Sequence, residues 1–139
     1  MKYFIPLIFI TFLLSGCNKE EVKFEAFNHE SFAFDIGDRW EVNAPVNVKG
    51  FSQKEIEDTF YASITYSVDL ILPDDKKIEN IFNNTEEVTK EEEILDIQLE
   101  VQFELDSTYT VGKYKLLFTI QDNFSQKSTE VSIEFDLTE

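Results

Sequence analysis

Apolar and polar residues alternate with a period of two along most of the chain between residues 31 and 137. The clearest case is residues 97–105, where every second residue is apolar and the residues between them are Glu or Gln. A helix would scatter these apolar side chains around its circumference, whereas a strand places them all on one face. The pattern therefore predicts a strand with one buried face, and a slip of one residue would bury its carboxylates.

The same alternation predicts five further strands, each with one apolar face towards the core, such as Phe32, Phe34 and Ile36 in the first of them. They cover residues 32–36, 40–48, 60–72, 114–120 and 131–137, and a shorter return strand is predicted at 77–82. Turn-forming residues such as Gly37-Asp38 and Asp122-Asn123 separate them. Pro45 lies inside one strand and predicts an edge position or a break there. These features predict an all-β protein, an antiparallel two-sheet sandwich of about seven strands over residues 31–139.

The first 16 residues follow a different pattern. Met1-Lys2 is a positively charged start, and residues 3–14 are uncharged and mostly apolar. This dozen residues would reach about 18 Å as a helix, short of the ~30 Å hydrocarbon core, so the segment predicts a signal peptide. Leu14-Ser15-Gly16-Cys17 resembles the lipobox of bacterial lipoproteins. The resemblance implies cleavage between Gly16 and Cys17 and a covalent lipid, such as palmitate, on Cys17. The alternative is an incidental thiol behind an ordinary signal sequence.

Residues 17–30 are polar and acidic, and they are predicted to form a tether, with a short strand near its end as an option. No Asp follows Cys17 directly, so the usual inner-membrane retention signal is missing, which favours the outer membrane. Lys19, Glu20 and Glu21 resemble the export signal of surface lipoproteins in one group of Gram-negative bacteria. The resemblance implies display at the cell surface, with a periplasmic orientation as the alternative.

The last two predicted strands resemble the closing hairpin of bacterial immunoglobulin-like or fibronectin-III-like domains. Tyr114, which follows Gly112-Lys113 at the start of the penultimate strand, resembles the tyrosine of a tyrosine corner. Trp40 is a candidate core tryptophan. The resemblance implies an immunoglobulin-like sandwich without the inter-sheet disulfide, because Cys17 is the chain's only cysteine.

The net charge excludes one class of partner. The chain has 12 Lys and Arg against 28 Asp and Glu, a formal charge of −16. Such a surface repels phosphate backbones, so nucleic-acid binding is not expected. With no internal disulfide available, stability must come from burial of apolar side chains, for which the chain supplies 14 Phe and 5 Tyr.

Side chains suited to catalysis are scarce. Nucleophilic catalysis needs a base beside a Ser or Cys, and the only histidine, His29, lies in the predicted tether. One His and one lipidated Cys do not suffice for a His/Cys metal centre, and no cofactor-binding motif is present. Carboxylates are so abundant that no pair stands out as an acid and base. The chain is therefore predicted not to be an enzyme, with a small hydrolase as a remote alternative.

Two groups of residues are candidates for ligand contacts. Calcium prefers several carboxylate oxygens, although the spacing here matches no EF-hand loop; the weak calcium candidates are Asp74, Asp75, Glu91, Glu92 and Glu93. Four aromatic residues lie outside the apolar phase of the strands and either contact a ligand or cover an open end of the sandwich; they are Tyr61 on a polar strand face and Phe51, Tyr109 and Phe124 in loops.

Together these features predict a membrane-anchored, non-catalytic lipoprotein that serves as a binding or scaffolding module at the bacterial cell envelope. It would act through loops or a strand edge on a protein or glycan partner. The alternative is a structural accessory lipoprotein of an envelope machine for motility, secretion or nutrient uptake. The sequence leaves the partner, the organism and the oligomeric state open.

Overall fold

The computed structural model describes Gly16 and residues 20–139, in which strands are joined by turns and loops. The strands are β1 (Glu25–Phe27), β2 (Phe32–Asp35), β3 (Arg39–Asn43), β4 (Val46–Lys49), β5 (Lys54–Ile56), β6 (Thr59–Ile71), β7 (Lys77–Lys90), β8 (Ile97–Leu99), β9 (Gln102–Asp106), β10 (Gly112–Asp122) and β11 (Ser128–Leu137). All pairings among them are antiparallel. A search of the described residues for a helix long and apolar enough to cross a membrane finds none.

Six of these strands form two three-stranded sheets, β1-β4-β8 and β2-β3-β9. The two sheets continue each other end to end, because β1 and β2, β3 and β4, and β8 and β9 follow one another along the chain, and we call them together the three-stranded sheet. The register is continuous across the break: Asn43 faces Gln102, Val46 faces Leu99, and the Ala44 N–H between them donates to the Val101 carbonyl at 2.9 Å. The break falls at Pro45, which has no N–H to donate, so the predicted break is confirmed.

The second sheet has the order β11, β10, β6, with β7 along the other edge of β6 and the short β5 beside the first residues of β6. Leu116 at its centre lies between Leu70 of β6 and Ile133 of β11. The eleven strands thus amount to seven long strands plus β5. The prediction of an all-β, antiparallel two-sheet sandwich is confirmed.

The two sheets enclose one hydrophobic core. The apolar residues of the strands at 60–72, 97–105 and 114–120 face inwards as predicted, and Val42, Leu99 and Phe118 are fully buried. Each large apolar side chain contributes about 1.5–3 kcal/mol through burial. One polar contact crosses the core: the Tyr66 hydroxyl on β6 donates to the Glu100 carbonyl, at the break between β8 and β9, at 2.8 Å.

The sandwich includes residues that are predicted to lie in the tether. Phe24 is buried in the core, and β1 pairs with β4 so that Ala26 lies opposite Val48. The apolar alternation at Phe24 and Ala26 is too short to be recognised among the surrounding charges. The first strand therefore begins before residue 31.

Strand β2 turns its large apolar residues outwards, so the expectation of an inward face at Phe32, Phe34 and Ile36 is wrong. All three side chains are exposed, whereas the small Ala33 between them packs against the core. Because Ala33 lies opposite the buried Val42 of β3, the register puts Phe32 and Phe34 on the solvent side. The largest exposed apolar surface of the three-stranded sheet follows from this arrangement.

Gly50 allows the chain to pass close to its own N-terminal segment. Its φ is +76°, and a Cβ at this position would lie 2.2 Å from the Lys23 carbonyl oxygen. We expect Gly50→Ala to lower the free energy of unfolding by about 3 kcal/mol, because the strained φ and the backbone clash add. Gly37→Ala is the control, since Gly37 has a φ of +110° with nothing within 4 Å of the added Cβ, and should cost only about 1 kcal/mol. Equal losses in urea unfolding would mean that the close approach is unimportant.

Candidate functional site

The proposed anchor lies mostly outside the described residues. Cys17 and Lys19 are among those outside, so lipidation at Cys17, cleavage between Gly16 and Cys17, and the export signal stay predictions. Glu20 and Glu21 are exposed, and the Glu21 carboxylate lies 3.6 Å from the Lys127 ammonium. The chain therefore enters the sandwich at the end that carries the β10–β11 turn.

Two of the four aromatic candidates cover the ends of the sandwich. Phe51 is buried in the core, and Tyr109 packs on Tyr114 with ring centroids 6.4 Å apart. The other two, Tyr61 and Phe124, are half-buried on either side of Lys54. Lys54 lies opposite Tyr61 across the strand pair, and its ammonium is 4.3 Å from the centroid of the Phe124 ring. The cation thus already occupies the Phe124 ring face.

The structure does not bring the calcium candidates together. Asp74 and Asp75 precede β7 and Glu91 follows it, and this 14-residue strand separates the two groups by about 40 Å. Asp74 instead binds locally: its carboxylate accepts the Lys76 N–H at 3.2 Å, and this hydrogen bond lowers the pKa of Asp74. Within residues 20–139, no group of three or more His, Cys, Asp or Glu residues is placed to hold a metal ion.

Asp122 is a buried carboxylate and is therefore a further candidate for a functional group. It is 1% exposed, and it accepts hydrogen bonds from the Ser52 N–H at 2.7 Å, the Phe124 N–H at 2.9 Å and the Ser125 hydroxyl at 2.6 Å. Burial alone would raise the pKa of Asp122, but these hydrogen bonds outweigh burial and hold the pKa below its usual value. Asp122 thus joins the β10–β11 turn to the loop after β4, which is a structural role.

We expect Asp122→Asn to lower the free energy of unfolding at neutral pH by about 2–3 kcal/mol, because the amide can accept fewer of these bonds and carries no charge. A lowered folded pKa gives stability that is complete above the unfolded value of about 3.9 and is lost as pH falls through the folded value. The difference between wild type and variant should therefore narrow in acid. Asp136→Asn, at an exposed carboxylate, is the control and should stay within ~0.5 kcal/mol. A pH-independent difference in urea unfolding would contradict this account.

The outer face of the three-stranded sheet carries a column of apolar side chains beside two columns of polar ones. Neighbouring strands lie about 4.8 Å apart, and successive residues on one face lie about 6.7 Å apart. The rows across the three strands are Phe34, Glu41 and Glu104; Phe32, Asn43 and Gln102; and, beyond the break, Phe27, Asn47 and Gln98. The register therefore brings together residues from three distant parts of the sequence.

A groove of about 310 Å³ lies on this face at the break. Its outward-facing lining residues are Phe32, Asn43, Pro45, Gln98, Glu100 and Gln102. Asn43 donates from Nδ2 to Glu41 Oε1 at 2.9 Å. Within residues 20–139, the side chains of Gln98, Glu100 and Gln102 form no hydrogen bond to another residue, so their donors and acceptors are free for a ligand.

Phe32, Phe34 and Ile36 form the apolar stripe beside this groove. They are 45%, 54% and 48% exposed, and the Phe32 and Phe34 ring centroids are 6.4 Å apart. If a fully exposed side chain of this size has about 200 Å², the apolar stripe exposes roughly 300 Å². Patches of this size are among the largest on ordinary monomers, and such patches are often functional.

The basic side chains on this face of the described sheet, Arg39 and Lys49, are already paired. The Arg39 guanidinium lies 2.9 Å from both Asp38 and Glu104, and its hydrogen bond to Asp38 lowers the pKa of that carboxyl. Lys49 lies 3.4 Å from Glu25, with its ammonium over the Phe27 ring. The polar surroundings of the apolar stripe are therefore amides and carboxylates.

The free edge of β7 is the other extended element at the surface. In the described chain it pairs only with β6, and a register shift between Val68 and Leu70 interrupts that pairing. Charged residues and an irregular edge oppose the addition of another strand. The charged residues of this strand are Lys77, Glu79, Glu86, Glu87 and Lys90. The outer face of the three-stranded sheet is therefore the better candidate site.

Comparison with protein-family models and with curated protein sequences gives no match from which a function can be transferred. No family model matches the chain, and no curated protein sequence matches it significantly. The functional assignment therefore depends on the residues themselves.

Proposed function

We propose that the chain is a lipid-anchored, non-catalytic binding module of the bacterial cell envelope. Cys17 attaches it to the outer membrane, and the outer face of the three-stranded sheet contacts the ligand at the cell surface. The observation that carries the proposal is the apolar stripe, which is exposed beside a groove with free amide groups. Large apolar side chains held in water contribute little to folding and are available for binding.

Two features support an immunoglobulin-like or fibronectin-III-like domain. Three long strands form one sheet and four form the other. The Tyr114 hydroxyl donates to the Thr110 carbonyl at 2.7 Å, which is the hydrogen bond expected of a tyrosine corner. Domains of this class commonly serve as recognition modules on cell surfaces, so the fold agrees with the proposed role by analogy.

The point at which the chain enters the sandwich favours access to the apolar stripe. The tether joins the sandwich beside Lys127, whereas the stripe runs towards the opposite end and reaches Ile36 at the β2–β3 turn. Eleven residues of extended chain between Glu25 and Ile36 correspond to about 36 Å. A ligand outside the membrane could therefore reach the stripe without contacting the lipid.

Capture from envelope extracts tests the proposed function. The full chain, solubilised in detergent and immobilised, should retain envelope material, and the double variant F32S/F34S should lose it. Thr119→Ala, on the outer face of the other sheet, and Tyr61→Ser, at the contact suggested by the sequence, should retain it. F32S/F34S and Thr119→Ala should melt near the wild type, because substitutions at exposed positions rarely exceed ~0.5 kcal/mol each. Tyr61 is half-buried, so Tyr61→Ser is compared at a temperature at which this variant remains folded. Equal retention by F32S/F34S and wild type would contradict the proposal.

A further inference from the structure

We infer that the groove and the apolar stripe bind a glycan chain without acidic groups. The inference rests on the proposed function: it uses the same face and adds the chemical class of the ligand. It is drawn from the charge of the groove, its free hydrogen-bonding groups and the size of its apolar surface.

The charge of the groove favours a neutral ligand. No basic side chain lines it, Glu100 is its one charged lining residue, and the nearby Arg39 and Lys49 are ion-paired. With a formal charge of −16 on the whole chain, an anionic ligand would be repelled. A single carboxylate is also too few oxygen ligands for a hard cation. The charges therefore oppose an anionic ligand and provide too few carboxylates to hold a hard metal ion.

The free side chains match the hydroxyl groups of a sugar. Gln98 and Gln102 each offer an amide donor and a carbonyl acceptor, and Glu100 offers acceptors. A sugar hydroxyl both donates and accepts, so neighbouring hydroxyls can satisfy both ends of one amide. Because polar groups covered by a ligand must be hydrogen-bonded to avoid a desolvation cost, a ligand rich in hydroxyls fits this lining.

The apolar stripe matches the less polar face of sugar rings. The C–H groups on one face of a pyranose ring pack on an aromatic ring, and two exposed rings stand 6.4 Å apart at Phe32 and Phe34. The amide groups of the two polar columns lie about 5 and 10 Å to the side of these rings, because the columns belong to the next two strands. A chain of sugars along the stripe would therefore meet aromatic rings below it and amides beside it.

The same surface is small for a protein partner. The roughly 300 Å² of the stripe is well below the ~800 Å² that each partner buries in a stable protein interface. Charged residues are depleted at the centre of such interfaces, whereas Glu41 and Glu104 lie in the central and third columns here. A glycan is therefore favoured over a protein or a second copy of the chain.

Affinity electrophoresis tests this inference with the full chain in a detergent that carries no sugar. The native gels contain one neutral polysaccharide each: β-glucan, xylan, mannan, starch, or the neutral polysaccharide fraction of the source bacterium's envelope. We expect retardation in at least one of them and none in a gel containing the anionic polygalacturonate. F32A/F34A and Q98A/Q102A should each raise the apparent dissociation constant at least about tenfold, as loss of central contacts does.

Thr119→Ala is the matched control and should migrate as wild type, because Thr119 lies on the outer face of the other sheet. Normal migration of wild type in every neutral gel, or retardation that survives F32A/F34A, would overturn the glycan inference. If envelope capture still depends on Phe32 and Phe34 through a protein in that case, the proposed function stands without the glycan. If capture is also independent of these residues, both proposals fail.

Discussion

Replacement of Cys17 by alanine should transfer the protein from the detergent phase to the aqueous phase in phase partitioning. Each buried methylene of a lipid chain contributes about 0.8 kcal/mol, and two or more chains hold a protein on a membrane almost permanently. The chain outside the anchor is rich in Asp and Glu, with a formal charge of −16 on the whole sequence, and such a surface favours water. We therefore expect the partition ratio to fall by at least about 100-fold.

The control for this prediction is Asn18→Ala, which changes the neighbouring residue but leaves the sulfur. It should remain in the detergent phase with the mass of a lipidated chain. If the wild-type protein, expressed in its own host, partitions into water and has the mass of the unmodified polypeptide, the anchor is absent. The predicted location at the outer membrane would then be wrong as well.

Tyr66→Ala should cause the largest loss of stability among the core substitutions considered. Tyr66 is 1% exposed, and its hydroxyl donates to the Glu100 carbonyl of the opposite sheet at 2.8 Å. Removal of the ring leaves a cavity between the sheets, which costs about 3–5 kcal/mol for an aromatic side chain. Urea unfolding at constant pH measures the loss.

Tyr66→Phe keeps the ring and removes the hydroxyl, and it should lower the free energy of unfolding by only about 1 kcal/mol. Burial raises the pKa of Tyr66, so the stability that this residue contributes is complete below about pH 10 and is lost as pH rises through the folded value. The variant should therefore lose part of the alkaline sensitivity of the wild type. A loss as large as that of Tyr66→Ala would show that the hydrogen bond, not packing, governs this position.

Tyr66 also connects the core to the candidate site. The Tyr66 hydroxyl donates to the backbone carbonyl of Glu100, whose side chain lines the groove at the break between β8 and β9.

The buried face of a strand is predicted correctly in the long strands that contribute to this region. In residues 60–72 and 97–105, alternation extends over enough positions that only one face can supply a core.

Strand β2 shows what alternation leaves undetermined. The pattern separates Phe32 and Phe34 from Ala33 and Asp35, and it predicts that the more apolar set meets the core, which is wrong here. The buried Val42 opposite Ala33 decides this through cross-strand register, which one strand's sequence does not contain. Large apolar side chains on the solvent side are a departure from the usual pattern, and such departures tend to mark functional surfaces.

Strand β7 is longer than the predicted strand at residues 77–82, for a different reason. Residues 83–90 are polar and acidic, and they lack the alternation by which a strand is recognised. They pair through backbone hydrogen bonds with β6, for example Thr85 opposite Thr65, and such pairing requires no apolar face. An acidic run that resembles a loop is in fact half of the longest strand.

The sequence does not predict the groove, because each of its lining residues, taken singly, resembles an ordinary exposed position of a strand. Asn43, Gln98 and Gln102 each occupy the polar phase of a strand and resemble solvent-exposed positions. Only the register across three strands places them beside Phe32. By contrast, Tyr61 and Phe124 can be recognised in the sequence as single aromatic residues, and the structure places them around Lys54, at the end where the chain enters the sandwich.

Site-specific photo-cross-linking in intact cells tests the central claim most directly. A benzophenone amino acid replaces Phe34 on the apolar stripe in one strain, and Thr119 on the other sheet in a second strain, with the lipid anchor kept in both. The account predicts a discrete adduct from position 34, none from position 119, and loss of the adduct when Gln98 and Gln102 are both replaced by alanine. Adducts from position 119 alone, or equally from both positions, would contradict the assignment of the ligand-binding face.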